Sequence, residues 1–175
     1  GVAGLLHDIG KVAIPHELLV KQGRYSDDDR RVIQQHPANG ARMILERERG
    51  LGLAAVVAYE HHIYLNGAGY PTLRFPRACH YASRVVHVCD IYDALCTDRP
   101  YRQAWDPEQA LGYLQEQSGS ELDPEIVRAF TEMIADALIQ RLDMDVESGE
   151  SAPESGADMA LPTPQLPAPQ VGAGL

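Results

Sequence analysis

The sequence has few cysteines and no long apolar run. Only three cysteines occur in 175 residues, and none forms a CxxC pair, so a cysteine-ligated zinc site is disfavoured. Cys89 and Cys96 lie within apolar stretches, which predicts buried free thiols and a reducing, cytoplasmic location. No apolar run reaches about 18 residues, so the sequence predicts no membrane-spanning helix.

Basic residues are scarce relative to acidic ones. The net charge of −10 disfavours direct binding to a nucleic-acid polymer. Six of the 25 acidic residues follow residue 142, where no Lys or Arg occurs, so the remainder has 19 acidic against 15 basic residues and a net charge of −4. Bound divalent cations could offset much of that charge. Residues 143–175, rich in Pro, Ala and Gly, are predicted to form an acidic disordered tail.

Helical patterns account for most of the sequence before this tail. The first eleven residues are predicted to end a helix, and Ser26 before three aspartates predicts an N-cap for a helix that reaches about His36. The pattern over 81–96 predicts a helix that is buried on most faces. Further helices are predicted over 37–48, 51–62, 107–117 and 124–142, with a long loop over 63–80. The predicted fold class is therefore all-α with one long functional loop.

Histidine and aspartate residues recur near the predicted helix ends and indicate a metal site. The candidate ligands are His7, Asp8, His36, His61, His62 and Asp90. Neighbours on a helix diverge by about 100°, so two adjacent histidines suit a wide cluster or one with more than one metal. Imidazole and carboxylate ligands without thiolate suit Fe, Mn, Zn or Ni. Paired metal ions are a recurring device for phosphoester hydrolysis, which makes a phosphoester the expected substrate.

Simpler interpretations exist for several of these residues. Asp90 and Asp93, which lie one turn apart, could form ion pairs with Arg84 or Arg99 instead of facing a metal or a substrate. Lys11, Arg99 and Arg102 suit contacts to phosphate, but ordinary surface charge is the better explanation for any one of them taken alone. His87, one turn before Asp90, is either a residue that supports a metal ligand or a satisfied core group.

Four segments together resemble a known family. They are HDIGK at 7–11, HP at 36–37, HHIYLNGAGYP at 61–71 and CDIYDALCTDRPYR at 89–102. In this order they resemble the HD-GYP domains, the cyclic di-GMP phosphodiesterases of bacteria within the HD metal-dependent phosphohydrolase superfamily. The resemblance covers roughly residues 3–140 and implies an HD-type helical bundle with a long GYP loop over 1–142. Two departures occur, Ile63 where the family often has Glu and Asn66 where it often has Asp.

The resemblance also implies an activity and a role for each matched residue. The activity would be hydrolysis of cyclic di-GMP to linear pGpG, to GMP, or to both. Two or three divalent ions, Fe or Mn, would be bound by His7, Asp8, His36, His61, His62 and Asp90. Asp8 and Lys11 would be the catalytic residues. Substrate contacts would come from Lys11, Gly69, Tyr70, Asp93, Arg99 and Arg102.

The same resemblance sets expectations for the rest of the protein. The family has a further N-terminal helix that supplies a histidine ligand and, in trinuclear members, a glutamate. The sequence opens with GVAGLLHDIGK, without an initiator Met, so we expect a fragment that lacks those N-terminal helices. We also expect an upstream sensory or receiver domain in the full-length protein, and a homodimer is left open. Two alternatives stand beside this function: an HD phosphohydrolase acting on another nucleotide or cyclic dinucleotide, and a non-catalytic cyclic di-GMP sensor.

Overall fold

The computed structural model describes residues 1–98 and 102–148, with side chains omitted at residue 49 and at 142–148. Within that range the fold is all-α, as predicted, and the only β-pairing consists of isolated single-residue bridges. The helices are α1 (Val2–Leu6), α2 (His16–Leu19), α3 (Asp27–Ile33), α4 (His36–Arg47), α5 (Gly52–Glu60), α6 (Tyr81–Cys96), α7 (Pro107–Gln117) and α8 (Pro124–Ser148). Short 3₁₀ helices lie at Ile9–Ala13 and Arg49–Leu51. None of the described helices is long and apolar enough to cross a membrane.

Local capping signals set several of the helix boundaries. The Ser26 hydroxyl accepts a hydrogen bond from the Asp29 amide at 3.2 Å, and the Asp29 carboxylate accepts one from the Ser26 amide at 2.8 Å. This reciprocal pair is a capping box, and it begins α3 where the sequence predicted an N-cap. Pro107 and Pro124 begin α7 and α8, because the N–H that proline lacks has no helical partner at that position.

Two apolar clusters hold the helices together. The N-terminal cluster joins α1, α4 and α5, and its buried members are Ala41, Ile44, Ala54, Ala55 and Ala58. The C-terminal cluster joins α6, α7 and α8, and its buried members are Val88, Ile91, Leu111, Leu114, Leu122, Ile126 and Val127. Helices α5 and α6 pack against each other. The end of α5 and the middle of α6 therefore meet where the two clusters adjoin.

Helix α6 is less buried than the sequence predicted. Its buried residues are Ser83, His87, Val88 and Ile91. Tyr81, Cys89 and Asp93, which follow one another at intervals of four or eight residues, are exposed. The prediction of a helix buried on most faces is wrong, because α5, α7 and α8 leave this stripe uncovered. The predicted burial of the Cys89 thiol is wrong for the same reason, and Cys79 and Cys96 are free and half-buried.

Two predicted boundaries also shift. The first eleven residues do not end one continuous helix, since α1 stops at Leu6 and a 3₁₀ turn carries Ile9–Ala13. Helix α8 continues to Ser148, beyond the predicted helix end at residue 142. The rest of the predicted tail, 149–175, lies outside the described residues.

Candidate metal centre

All six predicted ligands meet where the two apolar clusters adjoin. They are supplied by the segment between α1 and the first 3₁₀ turn, by the first residue of α4, by the two residues after α5, and by the middle of α6. Their ligand atoms form two groups, within each of which all atoms lie within 4.8 Å of one another. One group is Asp8, His36, His61 and His62, and the other is His7, Asp8 and Asp90. Asp8 belongs to both.

Gly10 brings the His7–Asp8 segment against the start of α4. A Cβ atom at this position would collide with the His36 carbonyl group and with the Gly40 amide nitrogen, which are both backbone atoms. Any larger residue would therefore push the 3₁₀ turn away from the first turn of α4. With glycine present, Asp8 Oδ1 lies 3.2 Å from His36 Nε2.

The two oxygens of Asp8 face different partners. Oδ1 lies 3.2 Å from His36 Nε2 and 3.6 Å from His61 Nε2. Oδ2 lies 3.3 Å from His7 Nε2 and accepts a hydrogen bond from Lys11 Nζ at 2.6 Å. A carboxylate whose oxygens point in this way toward two ligand groups is suited to bridge two metal ions.

Backbone carbonyls fix the rings of the two most buried histidines. His36 Nδ1 lies 2.8 Å from the Ile33 carbonyl oxygen, and His61 Nδ1 lies 2.9 Å from the Ala58 carbonyl oxygen. A carbonyl only accepts, so Nδ1 carries the proton in both rings and Nε2 presents a lone pair to the cluster. The two Nε2 atoms are 3.3 Å apart. Two lone pairs at that distance call for a cation or a proton between them.

The pKa values within the cluster differ between its two groups. Burial opposes a charge on His7, but the neighbouring carboxylates of Asp8 and Asp90 outweigh it and raise the pKa of His7 to about 10. Burial also opposes a charge on Asp8, yet the surrounding imidazoles hold its pKa well below the usual range. Burial lowers the pKa of His61 and, more strongly, that of His62. Near neutral pH the cluster thus offers the ionised Asp8 carboxylate beside the neutral imidazoles of His61 and His62, which are the forms that bind metals, whereas His7 is protonated and would have to release that proton to bind a metal.

Three buried polar atoms of the cluster make no hydrogen bond to any described residue. They are His7 Nε2, Asp8 Oδ1 and His62 Nε2. A buried polar group without a partner costs about 1–3 kcal/mol, so three of them in one place favour a bound species that pairs with all of them. Imidazole and carboxylate donors match divalent Fe, Mn, Zn or Ni. The residues present therefore fit a cluster of divalent ions.

The loop that follows α5 and contains Gly67 and Gly69, called the glycine loop below, covers the His62 side of the cluster. Gly69 has φ of +81°, a conformation that favours glycine, and a Cβ atom there would collide with the His62 carbonyl oxygen. The Tyr70 amide donates to the same carbonyl at 3.0 Å. The Tyr70 side chain is buried, and its ring centroid lies 4.7 Å from that of His62. Gly69 and Tyr70 thus lie beside a candidate ligand.

The other predicted substrate residues lie farther along the chain. Asp93 is exposed on α6. The Arg102 guanidinium donates to the carbonyl oxygens of Ala94 at 2.6 Å and Leu95 at 3.1 Å, in the last turn of α6. Arg102 therefore caps this helix in the structure, as a cation at a helix C-terminus does. Arg99 lies outside the described residues.

Arg84 does not pair with Asp90 or Asp93, which was one of the two interpretations that the sequence allowed. Arg84 pairs with Asp123 at the start of α8 instead. Asp90 Oδ1 lies 3.6 Å from His7 Nε2, so its carboxylate faces the cluster. Its pKa is lowered, since the interaction with His7 outweighs the opposing effect of burial.

One buried residue beside the cluster was missed in the sequence. Glu60, which directly precedes His61, is 1% exposed. Its carboxylate accepts hydrogen bonds from the His80 amide at 2.7 Å and the Ser83 hydroxyl at 2.8 Å, and it pairs with Arg77 at 2.5 Å. Glu60 thereby ties the end of α5 to the start of α6. A glutamate in an otherwise apolar helix was the signal that could have identified it.

Comparison with known proteins gives one family and several relatives. A family profile described as "HD domain" matches residues 1–126. A cyclic di-GMP phosphodiesterase of Pseudomonas aeruginosa is 39% identical over 134 residues, which is 77% of this chain and 32% of that protein. The cyclic di-GMP phosphodiesterase response regulator RpfG of Xanthomonas campestris is 38% identical over 129 residues, 73% of this chain and 34% of that protein. A 3'3'-cGAMP-specific phosphodiesterase of Vibrio cholerae is 35% identical over 127 residues, 73% of this chain and 27% of that protein. The chain thus spans about a third of the length of the first two relatives.

Proposed function

Because this chain belongs to the HD domain family, we propose that it is the catalytic part of a metal-dependent phosphodiesterase that hydrolyses cyclic di-GMP. The observation that carries the proposal is the convergence of the six candidate ligands into two groups that share Asp8. The names of the two most similar relatives described above support the choice of substrate. The product would be pGpG, GMP, or both.

Two or three divalent ions, Fe or Mn, would be held by the six candidate ligands. Bound there, they would supply an activated water near neutral pH and neutralise charge on the phosphate. Asp8 would bridge the two groups of ligands through its separate oxygens. Lys11, which donates to Asp8 Oδ2 at 2.6 Å, would fix that carboxylate and place a positive charge beside the scissile phosphate. These two residues would be the catalytic ones.

The substrate would be held by residues around the cluster. Gly69 lets the backbone approach closely, and Tyr70 would lie against the bound dinucleotide. Asp93, Arg99 and Arg102 would contribute polar contacts from the end of α6 and the segment beyond it. For Arg102 this requires the guanidinium to exchange its carbonyl partners on α6 for phosphate, or to act through the shape of that helix end.

The rest of the protein would supply regulation. The response-regulator name of the Xanthomonas relative and the greater length of the relatives support a sensory or receiver domain in the same protein. Cytoplasmic location and a homodimer belong to this proposal as well. The domain boundary near residue 143, with an acidic tail after it, remains a prediction.

A second candidate substrate is 3'3'-cGAMP, because a relative of 35% identity carries that specificity in its name. A broader alternative is another nucleotide. The remaining alternative is a sensor that binds cyclic di-GMP without cleaving it. These candidates differ in which ligand is bound and whether it is cleaved, and they share the same proposed metal site.

The test is hydrolysis by Mn²⁺-loaded protein with cyclic di-GMP, 3'3'-cGAMP and pGpG offered separately, with products separated by chromatography. We expect metal-dependent cleavage of cyclic di-GMP at the highest kcat/KM. His36→Ala should abolish it, whereas His16→Ala, at an exposed histidine outside the cluster, should not. Faster cleavage of 3'3'-cGAMP would favour the second candidate. Tight binding of cyclic di-GMP without turnover, at full metal occupancy, would identify a sensor.

A further inference from the structure

His87 connects a candidate metal ligand to the turn between α7 and α8. Its Nδ1 lies 2.5 Å from the His61 carbonyl oxygen, so this nitrogen carries the proton and donates. Its Nε2 lies 3.2 Å from Glu121 Oε1. His87 is 5% exposed and Glu121 is 7% exposed, so the contact is almost completely shielded from water.

The chemistry of this contact makes the two side chains dependent on each other. Neither His87 Nε2 nor Glu121 Oε1 makes a hydrogen bond to any described residue, and the two atoms face each other at 3.2 Å. With Nδ1–H committed to the His61 carbonyl, Nε2 can bond to the carboxylate only through one further proton held between the two atoms. Apolar side chains of similar volume would fill such a buried position at equal or better stability. Because stability alone does not favour a polar pair at this position, we look for its role in the segments that His87 and Glu121 join.

The turn that carries Glu121 also holds the glycine loop. The Leu65 amide donates to the Glu121 carbonyl oxygen at 2.8 Å, and the Asn66 amide donates to the Ser120 carbonyl oxygen at 3.1 Å. The Tyr64 ring lies 5.8 Å from the His87 ring, centroid to centroid, and covers it from the loop side. The turn between α7 and α8 thus makes two connections. It contacts the His61 backbone through His87, and its Ser120 and Glu121 carbonyls accept hydrogen bonds from the glycine loop.

We infer that Glu121 and His87 are positioning residues of the metal centre, which fix the backbone of the His61–His62 turn from the turn between α7 and α8. The inference rests on the proposed metal site. His87 acts on the carbonyl of His61, while the His61 ring is held separately by the Ala58 carbonyl. The His87–Glu121 pair therefore fixes the position of the His61 backbone. The hydrogen bond from His61 Nδ1 to the Ala58 carbonyl oxygen fixes the orientation of the His61 ring.

The first test measures binding of Mn²⁺ alone to the 175-residue chain, with unbound Mn²⁺ followed by electron paramagnetic resonance. Glu121→Leu and His87→Leu should each weaken Mn²⁺ binding by roughly tenfold, as loss of a residue that supports a metal ligand does. The double variant should lose little more than either single variant, because both act through one link. Glu121→Gln can still donate to Nε2, and His87→Asn still offers a donor near Nδ1, so both should recover part of the affinity.

The matched control is Arg84→Met. It breaks the Arg84–Asp123 ion pair between α6 and the start of α8, two residues from Glu121, without touching His61. It should lower the melting temperature and leave Mn²⁺ affinity unchanged. If the two leucine variants lower stability but keep wild-type Mn²⁺ affinity, as the control does, the pair is merely structural and the inference is wrong.

A second measurement needs no metal and separates this inference from the proposed function. Hydrogen exchange in the metal-free chain reports the Tyr70 amide, which donates to the His62 carbonyl, and the Leu65 amide, which donates to Glu121. Both leucine variants should lose protection at these amides beyond the change in global stability, and Arg84→Met should not. A wild-type chain that binds no Mn²⁺ would count against the proposed metal site in these 175 residues. Unchanged protection in the leucine variants would refute the link, whatever the metal result.

Discussion

Replacing Gly10 by alanine tests whether the contact between the HDIGK turn and α4 builds the metal centre. The added methyl group would meet the His36 carbonyl and the Gly40 amide. These are backbone atoms inside a helix, so they cannot rotate aside as a flexible side chain could. The 3₁₀ turn and α4 must separate, and Asp8 then moves away from His36.

The size of the effect follows from the packing. Forcing an extra carbon into a closely packed site costs about 1–3 kcal/mol. For a chain of this length each kcal/mol lowers the melting temperature by about 2–4 °C, so we expect a decrease of about 2–12 °C. A separation on the order of 1 Å between Asp8 and His36 would also lower the rate, by roughly a hundredfold. The functional loss should therefore exceed the loss of folded protein.

Gly4→Ala is the matched control, since it makes the same chemical change six residues earlier. Nothing lies within 4 Å of a Cβ atom at Gly4, and the residue is inside α1. Alanine is favoured over glycine in a helix by about 1 kcal/mol, so this variant should be neutral or slightly more stable. Thermal melting, metal content and kcat/KM are measured on both. A Gly10→Ala protein with wild-type melting temperature and metal content would refute the argument.

Three further predictions concern the metal, Asp90 with Asp93 as its control on α6, and Arg102 beyond the end of that helix. Chelation should abolish hydrolysis and Mn²⁺ should restore it; full activity in protein that elemental analysis shows to be metal-free would contradict this. Asp90→Ala should lose metal and hydrolysis together, whereas Asp93→Ala should keep its metal; equal metal content in the two variants would remove Asp90 from the ligand set. Arg102→Ala removes two charge-assisted hydrogen bonds to helix carbonyls, so it should destabilise the fold by about 1.5–3 kcal/mol in urea unfolding and keep the metal. An Arg102→Ala protein with unchanged stability and a reduced kcat/KM would instead favour a direct contact to phosphate.

The sequence predicted which candidate ligands lie together more completely than it predicted burial. His7, Asp8, His36, His61, His62 and Asp90 all converge as the spacing and the family resemblance indicated. The members of this cluster could be identified in this way because His–Asp and His–His pairs are chemically unusual and appear directly in the sequence. Helix positions were predictable for a related reason, since Ser26, Pro107 and Pro124 act within a few residues of their own positions.

Contacts between distant segments were not predictable in the same way. The burial of α6 depends on where α5, α7 and α8 lie around it, so the exposure of Cys89 could not be inferred from its apolar neighbours. The Arg84–Asp123 pair joins residues 39 positions apart, and nothing local distinguishes Asp123 from Asp90 as its partner. The glycine of HDIGK is visible in the sequence. The close contact with the His36 carbonyl that requires a glycine there appears only in the fold.

The position of the centre between two apolar clusters has a consequence for how the chain unfolds. Among the candidate ligands, Asp90 alone is carried by a helix of the C-terminal cluster, while the other five belong to segments around α1, α4 and α5. A metal ion held by His7, Asp8 and Asp90 would therefore act as a cross-link between the two halves of the domain. Without it, the halves would be joined by the α5–α6 packing, the Glu60 hydrogen bonds, the His87 link and the loop amides that donate to Glu121 and Ser120, and they could open as separate units. We therefore expect metal content to set the cooperativity of unfolding, with one transition when the proposed centre is filled and two when it is empty.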